Sequence, residues 1–432
     1  MAGRIRDEDV ALVRERASID DVVREYVTLK TAGGGSLKGL CPFHDEKSPS
    51  FHVTPSRGMW YCFGCGEGGD VINFVQRMDH LSFAETIEKL AEKTGVQLRY
   101  VDGGAAINRQ QGVRTRLVEA HKTAATFYRE QLESPAAAAG REFLKSRGFD
   151  ANSAEHFGVG FAPASWDALT NFLRGKGFTD EELLAGGLVS QGNRGVYDRF
   201  RGRLVWPIRD LGGDVVGFGA RKLTDDDDGP KYLNTPETPI YKKSHVLYGI
   251  DLARREISKN QQAVIVEGYT DVMACHLAGV TTAVATCGTA FGADHIKVLR
   301  RLLMDDDQMK GQVVFTFDGD AAGQKAAMRA FAEDQKFVSQ TFVAVEPHGL
   351  DPCDLRIRHG DSGVQELVNN RVPLFEFAIR STIAAYDLDS AEGRVAALRD
   401  AAPIVGKIRD PALRPEYARR LAGWIGMDVG EV

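Results

Sequence analysis

The sequence lacks any apolar run long enough to cross a membrane as a helix, and cysteine is scarce, with 6 residues in 432. A spanning helix needs about 20 consecutive apolar residues, so no transmembrane segment is predicted. Six cysteines are too few for a disulfide framework in a chain of this length, and in a reducing compartment they favour metal binding. The charged residues 4–8 are unlike a secretory signal, and we expect a cytoplasmic protein.

An excess of positive charge is lacking too, because the formal net charge is −6. This does not exclude nucleic-acid binding, which depends on where the basic residues lie. Ten Lys and Arg fall within residues 194–243, and four of the eight acids there form the run 225–228, which we expect to point into solvent. We also expect strands 204–208 and 215–218 to alternate faces and to line these cations along one groove.

Three of the cysteines lie near the N-terminus in two knuckles, Cys41-x-x-His44 and Cys62-x-x-Cys65. The ligand types and the spacing are those of a tetrahedral zinc site. The alternative is three buried free cysteines and a surface histidine, which the paired knuckles disfavour. Four protein ligands leave no position for a reacting water, so we predict one structural zinc ion.

Aromatic and basic residues surround the knuckles, a combination suited to stacking unpaired bases and holding phosphates. We predict that Trp60 and Tyr61 contact nucleic acid, although about half of these aromatics are expected to form the small core of a zinc ribbon. His52 falls in the middle of a predicted strand and is expected to be exposed or to face the substrate.

Several predicted strands in the second half of the chain are followed by acids. Carboxyl ends of parallel strands meet at one edge of an open α/β sheet, where ligand sites form, and carboxylates are the ligands that Mg²⁺ prefers. Single acids after strands are usually helix caps or turn formers, but several in one unit favour a metal site. The strands are 263–266, 313–317 and 341–345, and the acids are Glu267, Asp318, Asp320 and Asp351, with Asp271 in a following helix; another helix is predicted over 321–331.

The segments Glu267-Gly-Tyr-Thr-Asp271 and Phe317-Asp-Gly-Asp-Ala-Ala-Gly323 resemble the Toprim domain of bacterial primases and of type IA and type II topoisomerases. The resemblance implies that Glu267, Asp318 and Asp320 are catalytic. It also implies that these three, with Asp271 and Asp351, hold Mg²⁺ or Mn²⁺.

Further segments, in this order along nearly the whole chain, resemble bacterial replicative primases of the DnaG type. They include Cys41-Pro-Phe-His44, Tyr61-Cys-Phe-Gly-Cys-Gly66, Asp198-Arg-Phe-Arg-Gly-Arg203 and Lys231-Tyr-Leu-Asn234. The resemblance implies synthesis of short RNA primers from ribonucleoside triphosphates on single-stranded DNA, by a nucleotidyltransferase acting at replication forks. Together with charge, it indicates these template- and nucleotide-binding residues: Arg147, Arg199, Arg201, Arg221, Lys231, Asn234 and Lys243.

The chain departs from the family after the third acidic strand, where Asp351-Pro-Cys353-Asp354 stands in place of Asp-Pro-Asp. Cys353 is a poor ligand for Mg²⁺, and Asp354 is doubtful as one. The family also implies a replicative helicase as partner, through a C-terminal domain that we expect to be absent from this chain. We expect a monomer.

The predicted fold is multidomain, α/β and α+β. We predict a zinc ribbon over residues 1–100, a linker over 101–112, a basic α+β subdomain over 113–257, a Toprim α/β subdomain over 258–360 and a helical subdomain over 361–432. Two other functions stay open: a Toprim nuclease or topoisomerase that breaks DNA, and a noncatalytic zinc-ribbon adaptor for single-stranded DNA.

Overall fold

The computed structural model of the chain describes residues 4–101, 113–304, 311–318, 340–408 and 410–432. For Val101 and Asp318 only the backbone is described. Asp320, the predicted helix 321–331 and all of the predicted linker except Val101 lie outside the described residues.

The N-terminal unit is built on a five-stranded antiparallel sheet in the order β2-β3-β4-β5-β6. Strands β4 and β5 alternate strictly, so that Phe51, Val53, Trp60 and Cys62 point into a core covered by Phe74 of a flanking helix. The elements are β1 (Arg4–Ile5), α1 (Asp7–Arg16), α2 (Ile19–Val23), β2 (Lys30–Gly33), β3 (Ser36–Gly39), β4 (Phe51–Thr54), β5 (Met59–Cys62), β6 (Gly68–Asp70), α3 (Val71–Asp79), α4 (Phe83–Thr94) and β7 (Tyr100–Val101), which pairs with β1.

Helix α4 begins at a capping box, in which the Ser82 side chain accepts from the Glu85 amide and the Glu85 side chain accepts from the Ser82 amide. This reciprocal pairing satisfies two amides at the helix start. The helix therefore begins at Phe83.

The second unit surrounds a four-stranded antiparallel sheet in the order β13-β12-β11-β8, with a separate hairpin of β9 and β10 that was not predicted. Its elements are α5 (Val113–Leu132), α6 (Ala138–Ser146), α7 (Ala151–Phe157), β8 (Gly160–Ala162), α8 (Ala168–Gly175), α9 (Asp180–Ala185), β9 (Val189–Gly192), β10 (Gly195–Asp198), β11 (Arg203–Arg209), β12 (Val215–Lys222) and β13 (Tyr232–Asn234).

The prediction that β11 and β12 line their cations along one groove is wrong, although side chains do alternate between the two faces of the sheet. Both strands are buried along nearly their whole length. Phe218 packs on one face against Tyr128 of α5, whereas Trp206 stacks on Tyr269 of the third unit at 5.6 Å. The sheet is enclosed on two sides, so apolar residues occupy both faces.

The acidic run 225–228 is also not wholly solvent-directed. Asp227 forms a 2.6 Å ion pair with the buried Arg203, and its backbone carbonyl accepts a hydrogen bond from Lys222. The run therefore neutralises part of the basic segment.

The third unit carries a six-stranded sheet in the order β14-β16-β15-β17-β18-β19, in which the four central strands are parallel. Strand β16 and helix α12 were not predicted. Its elements are β14 (Leu247–Tyr248), α10 (Ile250–Asn260), β15 (Gln262–Val266), α11 (Tyr269–Leu277), β16 (Ala283–Thr286), α12 (Ala293–Leu303), β17 (Gln312–Asp318), β18 (Gln340–Glu346), α13 (Pro352–Asn369) and β19 (Val372–Pro373).

Helix α13 is interrupted at Gly360, where φ is 70°. The last unit packs α14 (Leu374–Ile383), α15 (Ala391–Gly406) and α16 (Leu413–Ile425) around Leu374, Ile379, Ala401 and Leu421. Among the described residues, no helix combines the length and the apolar character needed to cross a membrane.

His121 of α5 gives the second unit a measurable dependence on pH. The ring is fully buried, lies parallel to Phe218 at 5.8 Å, and places Nδ1 2.7 Å from the Leu117 carbonyl oxygen. Burial lowers the pKa of His121 to about 4. In the unfolded chain the ordinary His pKa is about 6.5. The contribution of neutral, buried His121 to the free energy of unfolding is therefore complete above that pH and is lost as pH falls toward 4.

We expect His121→Asn, which keeps a donor for the Leu117 carbonyl, to remove this dependence. The loss of unfolding free energy between pH 7 and pH 4.5 should be smaller in the variant by about 2 kcal/mol. Equilibrium urea unfolding followed by circular dichroism at both pH values measures the difference. Equal losses in both proteins would contradict it.

Candidate functional site

The four predicted zinc ligands come together in the N-terminal unit. The candidate ligand atoms of Cys41, His44, Cys62 and Cys65 all lie within 4.8 Å of one another. Cys41 and Cys62 are buried and Cys65 is exposed. Three thiols and one imidazole at tetrahedral spacing fit Zn²⁺.

Gly64, between the second pair of ligands, is required by close packing. A Cβ at this position would lie 2.6 Å from His44 Nε2 and 2.7 Å from the Ser50 hydroxyl. A side chain there would therefore push the histidine out of the ligand cluster.

Glu46 is a residue of this site that sequence reasoning missed. One carboxylate oxygen accepts hydrogen bonds from the Cys41 amide at 2.6 Å and the Ser50 amide at 3.2 Å, and the other lies 3.3 Å from His44 Nε2. His44 Nδ1 faces Cys62 Sγ at 3.8 Å. Carboxylates commonly orient a ligating histidine in this way, and an acid two residues after His44 was the available signal.

The second site lies at the carboxyl edge of the parallel sheet. Strand β15 pairs with β17 in the register Ile265 to Phe315. Glu267 follows two residues after Ile265, and Asp318 three residues after Phe315, so the backbones of both acids reach the same edge on adjacent strands. The Glu267 side chain is exposed there.

Asp271 and Asp351 lie at helix starts near this edge. Asp271 is buried in the first turn of α11 and accepts from the Gly268 amide at 2.9 Å, and Asp351 caps α13 by accepting from the Asp354 amide at 2.6 Å. Burial raises the pKa of Cys353 to about 12, and Asp351 and Asp271 add to the rise. Both acids are therefore within electrostatic range of one thiol.

Within the described side chains, the zinc knuckles form the one group of three or more acidic, Cys or His residues at metal-binding distances. The Asp318 side chain and all of Asp320 fall outside that set. The carboxylate site therefore stays a prediction, supported by strand register.

The residues that depart from the Asp-Pro-Asp pattern contact Arg147. Asp354 forms a 2.5 Å ion pair with Arg147, and the buried Cys353 thiol lies 3.7 Å from the Arg147 carbonyl oxygen. Arg147 thus connects the C-terminal end of α6 with the start of α13.

Several predicted nucleotide-binding residues gather beside the acidic edge. Burial raises the pKa of Tyr232, Arg221 and Arg147 act against this rise, and Asp271 adds to it. Arg221, Arg147 and Asp271 therefore each lie within electrostatic range of Tyr232. Tyr232, 41% exposed, is a further candidate for contact with the substrate.

Asn234 connects the basic unit directly to the acidic one. Its side-chain oxygen accepts a hydrogen bond at 2.7 Å from the hydroxyl of Tyr269, which lies two residues after Glu267. Its backbone carbonyl accepts a hydrogen bond from Arg199 at 2.7 Å. The side chains of Asn234 and Arg199 are thus both held by hydrogen bonds within the protein.

The other predicted cations are held by neighbouring rings or backbone. Arg201 lies 4.2 Å over Trp166, Arg221 lies 4.0 Å over Phe143, and Lys231 lies 5.8 Å over Tyr232. The Lys243 amide donates to Glu237 and its carbonyl faces His295.

Trp60 and Tyr61 differ although they are adjacent. Trp60 is 1% exposed and stacks on Phe51 at 5.2 Å, so the prediction that it contacts bases is wrong. Side chains alternate along a strand, and Trp60 therefore points into the core on the same face as Cys62. Tyr61 is 45% exposed and lies 5.0 Å from Phe63, which is 71% exposed. His52 also meets Phe63, at 5.1 Å.

Family models match four successive parts of the chain. They are described as a CHC2 zinc finger at residues 5–105, a DNA primase catalytic core N-terminal domain at 127–254, a Toprim domain at 261–345 and a DnaB-helicase binding domain of primase at 375–430. Fold and family models therefore define a protein that combines a zinc ribbon with a Toprim fold.

The chain is 64% identical over 428 residues to the DNA primase of Streptomyces coelicolor, covering 99% of this chain and 66% of that protein. It is 58% identical over 434 residues to the DNA primase of Mycobacterium tuberculosis, covering 100% of this chain and 68% of that protein. The chain thus belongs to the bacterial DNA primase family, and it spans about two thirds of the length of these relatives.

Solved structures agree. The RNA polymerase domain of Mycobacterium tuberculosis primase, bound to a DNA duplex with a 6-nucleotide overhang, matches with a TM-score of 0.69 at 60% identity, covering 74% of this chain and 100% of that one. The zinc-binding and RNA polymerase domains of Aquifex aeolicus primase match with a TM-score of 0.64 at 30% identity, covering 98% of each chain.

The match to a helicase-binding model corrects one expectation. We expected no helicase-binding region in this chain, but residues 375–430, which include α14, α15 and α16, match that model. Their apolar stripes, which suggested packing alone, carried no signal for a partner.

We expect Cys41→Ala to lower zinc content from one ion per chain to nearly none and to unfold the five-stranded sheet, because a structural zinc site supplies folding free energy. Metal analysis of the purified protein measures this. Cys275→Ala, at a buried thiol outside the cluster, serves as the matched control and should keep its zinc. Full zinc content in Cys41→Ala would refute the ligand assignment.

Proposed function

We propose that the chain is a DNA-dependent RNA polymerase that synthesises short RNA primers on single-stranded DNA. The observation that carries this proposal is the parallel register of β15 and β17, which brings the backbones of Glu267 and Asp318 to one sheet edge beside the basic unit. The family membership supports the same reaction. The substrates would be ribonucleoside triphosphates and the product an RNA primer.

The acidic residues are proposed to hold divalent cations, Mg²⁺ or Mn²⁺. Carboxylate oxygens at an exposed sheet edge suit such hard ions. When bound, the ions would activate the 3′-hydroxyl and neutralise the triphosphate. We assign Glu267, Asp318 and Asp320 as catalytic residues, with Asp271 and Asp351 as further ligands.

The basic unit is proposed to hold the phosphates. Arg147, Arg221 and Asp271 each lie within electrostatic range of Tyr232, so a phosphate chain could contact these cations and the metal edge together. Arg201, Lys231 and Lys243 would extend the contact, and Asn234 and Arg199 would position it.

We expect Glu267→Gln and Asp318→Asn each to reduce primer synthesis roughly 100-fold or more, as when one electrostatic group is removed from an active site. Glu366→Gln, at an exposed carboxylate on α13, is the matched control and should leave the rate unchanged. The assay is incorporation of labelled ribonucleotides on single-stranded DNA without a supplied primer. Wild-type rates in the folded Glu267 and Asp318 variants would overturn the assignment.

The same assay separates the alternative functions. Cleavage of the DNA without incorporation would indicate a Toprim nuclease or topoisomerase. Binding without either reaction would indicate a noncatalytic adaptor.

We propose that the outer face of the zinc ribbon binds the template. Cross-strand pairing aligns Lys38, His52 and Tyr61 in a row on successive strands, and Phe63 lies beside the last two. Cations beside exposed rings suit single-stranded DNA.

We expect Tyr61→Ala and Phe63→Ala each to weaken binding of single-stranded DNA by about 1–3 kcal/mol, the value of one stacked base. Phe83→Ala, at a 48% exposed ring on α4, is the control and should bind normally. Fluorescence anisotropy with a labelled oligonucleotide measures the affinity. Unchanged affinity in both ribbon variants would exclude this face as the binding surface.

The remaining assignments follow from family membership. We propose the domain boundaries given by the sequence, except that the Toprim subdomain begins before 258 and extends past 360, because β14 and β19 are strands of its sheet. We also propose a monomeric state and action at cytoplasmic replication forks. The replicative helicase is the proposed partner, through residues 375–430.

A further inference from the structure

The zinc ribbon contacts the Toprim unit at its first knuckle. Arg300, in the last turn of α12, donates to the Glu46 carbonyl at 3.1 Å. Burial lowers the pKa of the neighbouring Arg301, while Asp45 and the zinc ligand Cys41 act in the opposite direction. Two guanidinium groups of one helix end therefore face the loop 41–46.

Glu46 takes part in both the zinc site and this contact. Its carboxylate, 9% exposed, reaches the Cys41 amide, His44 Nε2 and Ser50, and the Ser50 hydroxyl lies 3.2 Å from Cys62 Sγ. Three of the four ligands are thus linked to one side chain. The backbone carbonyl of Glu46 accepts the hydrogen bond from Arg300.

Other contacts between the ribbon and the rest of the chain lie away from the knuckles. Lys89 of α4 forms a 2.5 Å ion pair with Asp214, and the Thr28 hydroxyl lies 2.7 Å from the Ser258 hydroxyl. The Thr28 amide also donates to the Arg301 carbonyl at 3.1 Å, at the same end of α12. These segments contain no zinc ligand, so their contacts do not require the knuckle to be folded. The contact of Arg300, in contrast, is made by the loop 41–46, which carries the two zinc ligands Cys41 and His44.

We propose that Glu46 is a positioning residue that couples zinc binding to docking of the first knuckle, residues 41–46, on the C-terminal end of α12. With zinc bound, the loop 41–46 presents its carbonyl and acidic groups to Arg300 and Arg301. Without zinc, the loop loses this shape and the contact opens. The coupling goes beyond primer synthesis and does not depend on it.

Coupling between two sites is reciprocal. If zinc favours docking, then docking must favour zinc by the same factor. A substitution on α12, which contributes no ligand, should therefore weaken zinc binding.

The test measures transfer of zinc to a colorimetric chelator and hydrogen exchange of residues 299–303. Glu46→Gln should speed transfer roughly 10-fold or more, the effect expected when a carboxylate behind a ligating histidine is lost. Arg300→Ala should speed it about 5-fold, at the lower end of ordinary coupling. Removing zinc from the wild type should raise exchange in 299–303 to the level of Arg300→Ala.

Lys297→Ala is the matched control, because Lys297 lies on the same helix but pairs with Asp294 at 3.1 Å. It should change neither measurement. Circular dichroism verifies that each variant is folded, and Arg300→Lys should partly restore slow transfer.

Wild-type zinc transfer in Arg300→Ala would overturn the coupling, even if Glu46→Gln releases zinc quickly. So would unchanged exchange at 299–303 after zinc removal. Neither measurement uses primer synthesis, so failure here leaves the proposed function standing.

Discussion

Parallel pairing of β15 with β17 is the constraint on which the proposed catalytic site depends. The pairing aligns Ile265 with Phe315 and so brings the ends of both strands to one edge. A shift of one residue would place Glu267 at a different height and reverse the faces of the strand. Because Val264 and Val314 are completely buried in the core, such a shift is strongly disfavoured.

The basic unit is held against this edge by apolar packing. Trp206 donates to the Met273 sulfur at 3.2 Å and stacks on Tyr269, which also contacts Asn234. The basic unit and the strand that precedes Glu267 thus pack on one apolar core.

Local patterns predicted local features well. The zinc knuckles were recognised because all four ligands lie within two short segments, and the three acidic strands because each is a run of β-branched residues. The inward position of Trp60 was also accessible, since it lies two residues before the ligand Cys62 and shares its face. Burial of β11 was not accessible, because it depends on Met273, which lies far along the chain. Glu46 was missed because its role consists of contacts that spacing does not reveal.

The strict alternation of β5 restricts how the ribbon can vary. Cys62 and Trp60 point into the core, and Tyr61 points to the opposite, exposed face. Each face of this strand therefore has a fixed environment. Adding or deleting one residue inside the strand would expose Trp60 and bury Tyr61. Changes in strand length are therefore compatible with this ribbon only in steps of two residues, whereas the turn at Gly58 is free to vary in length.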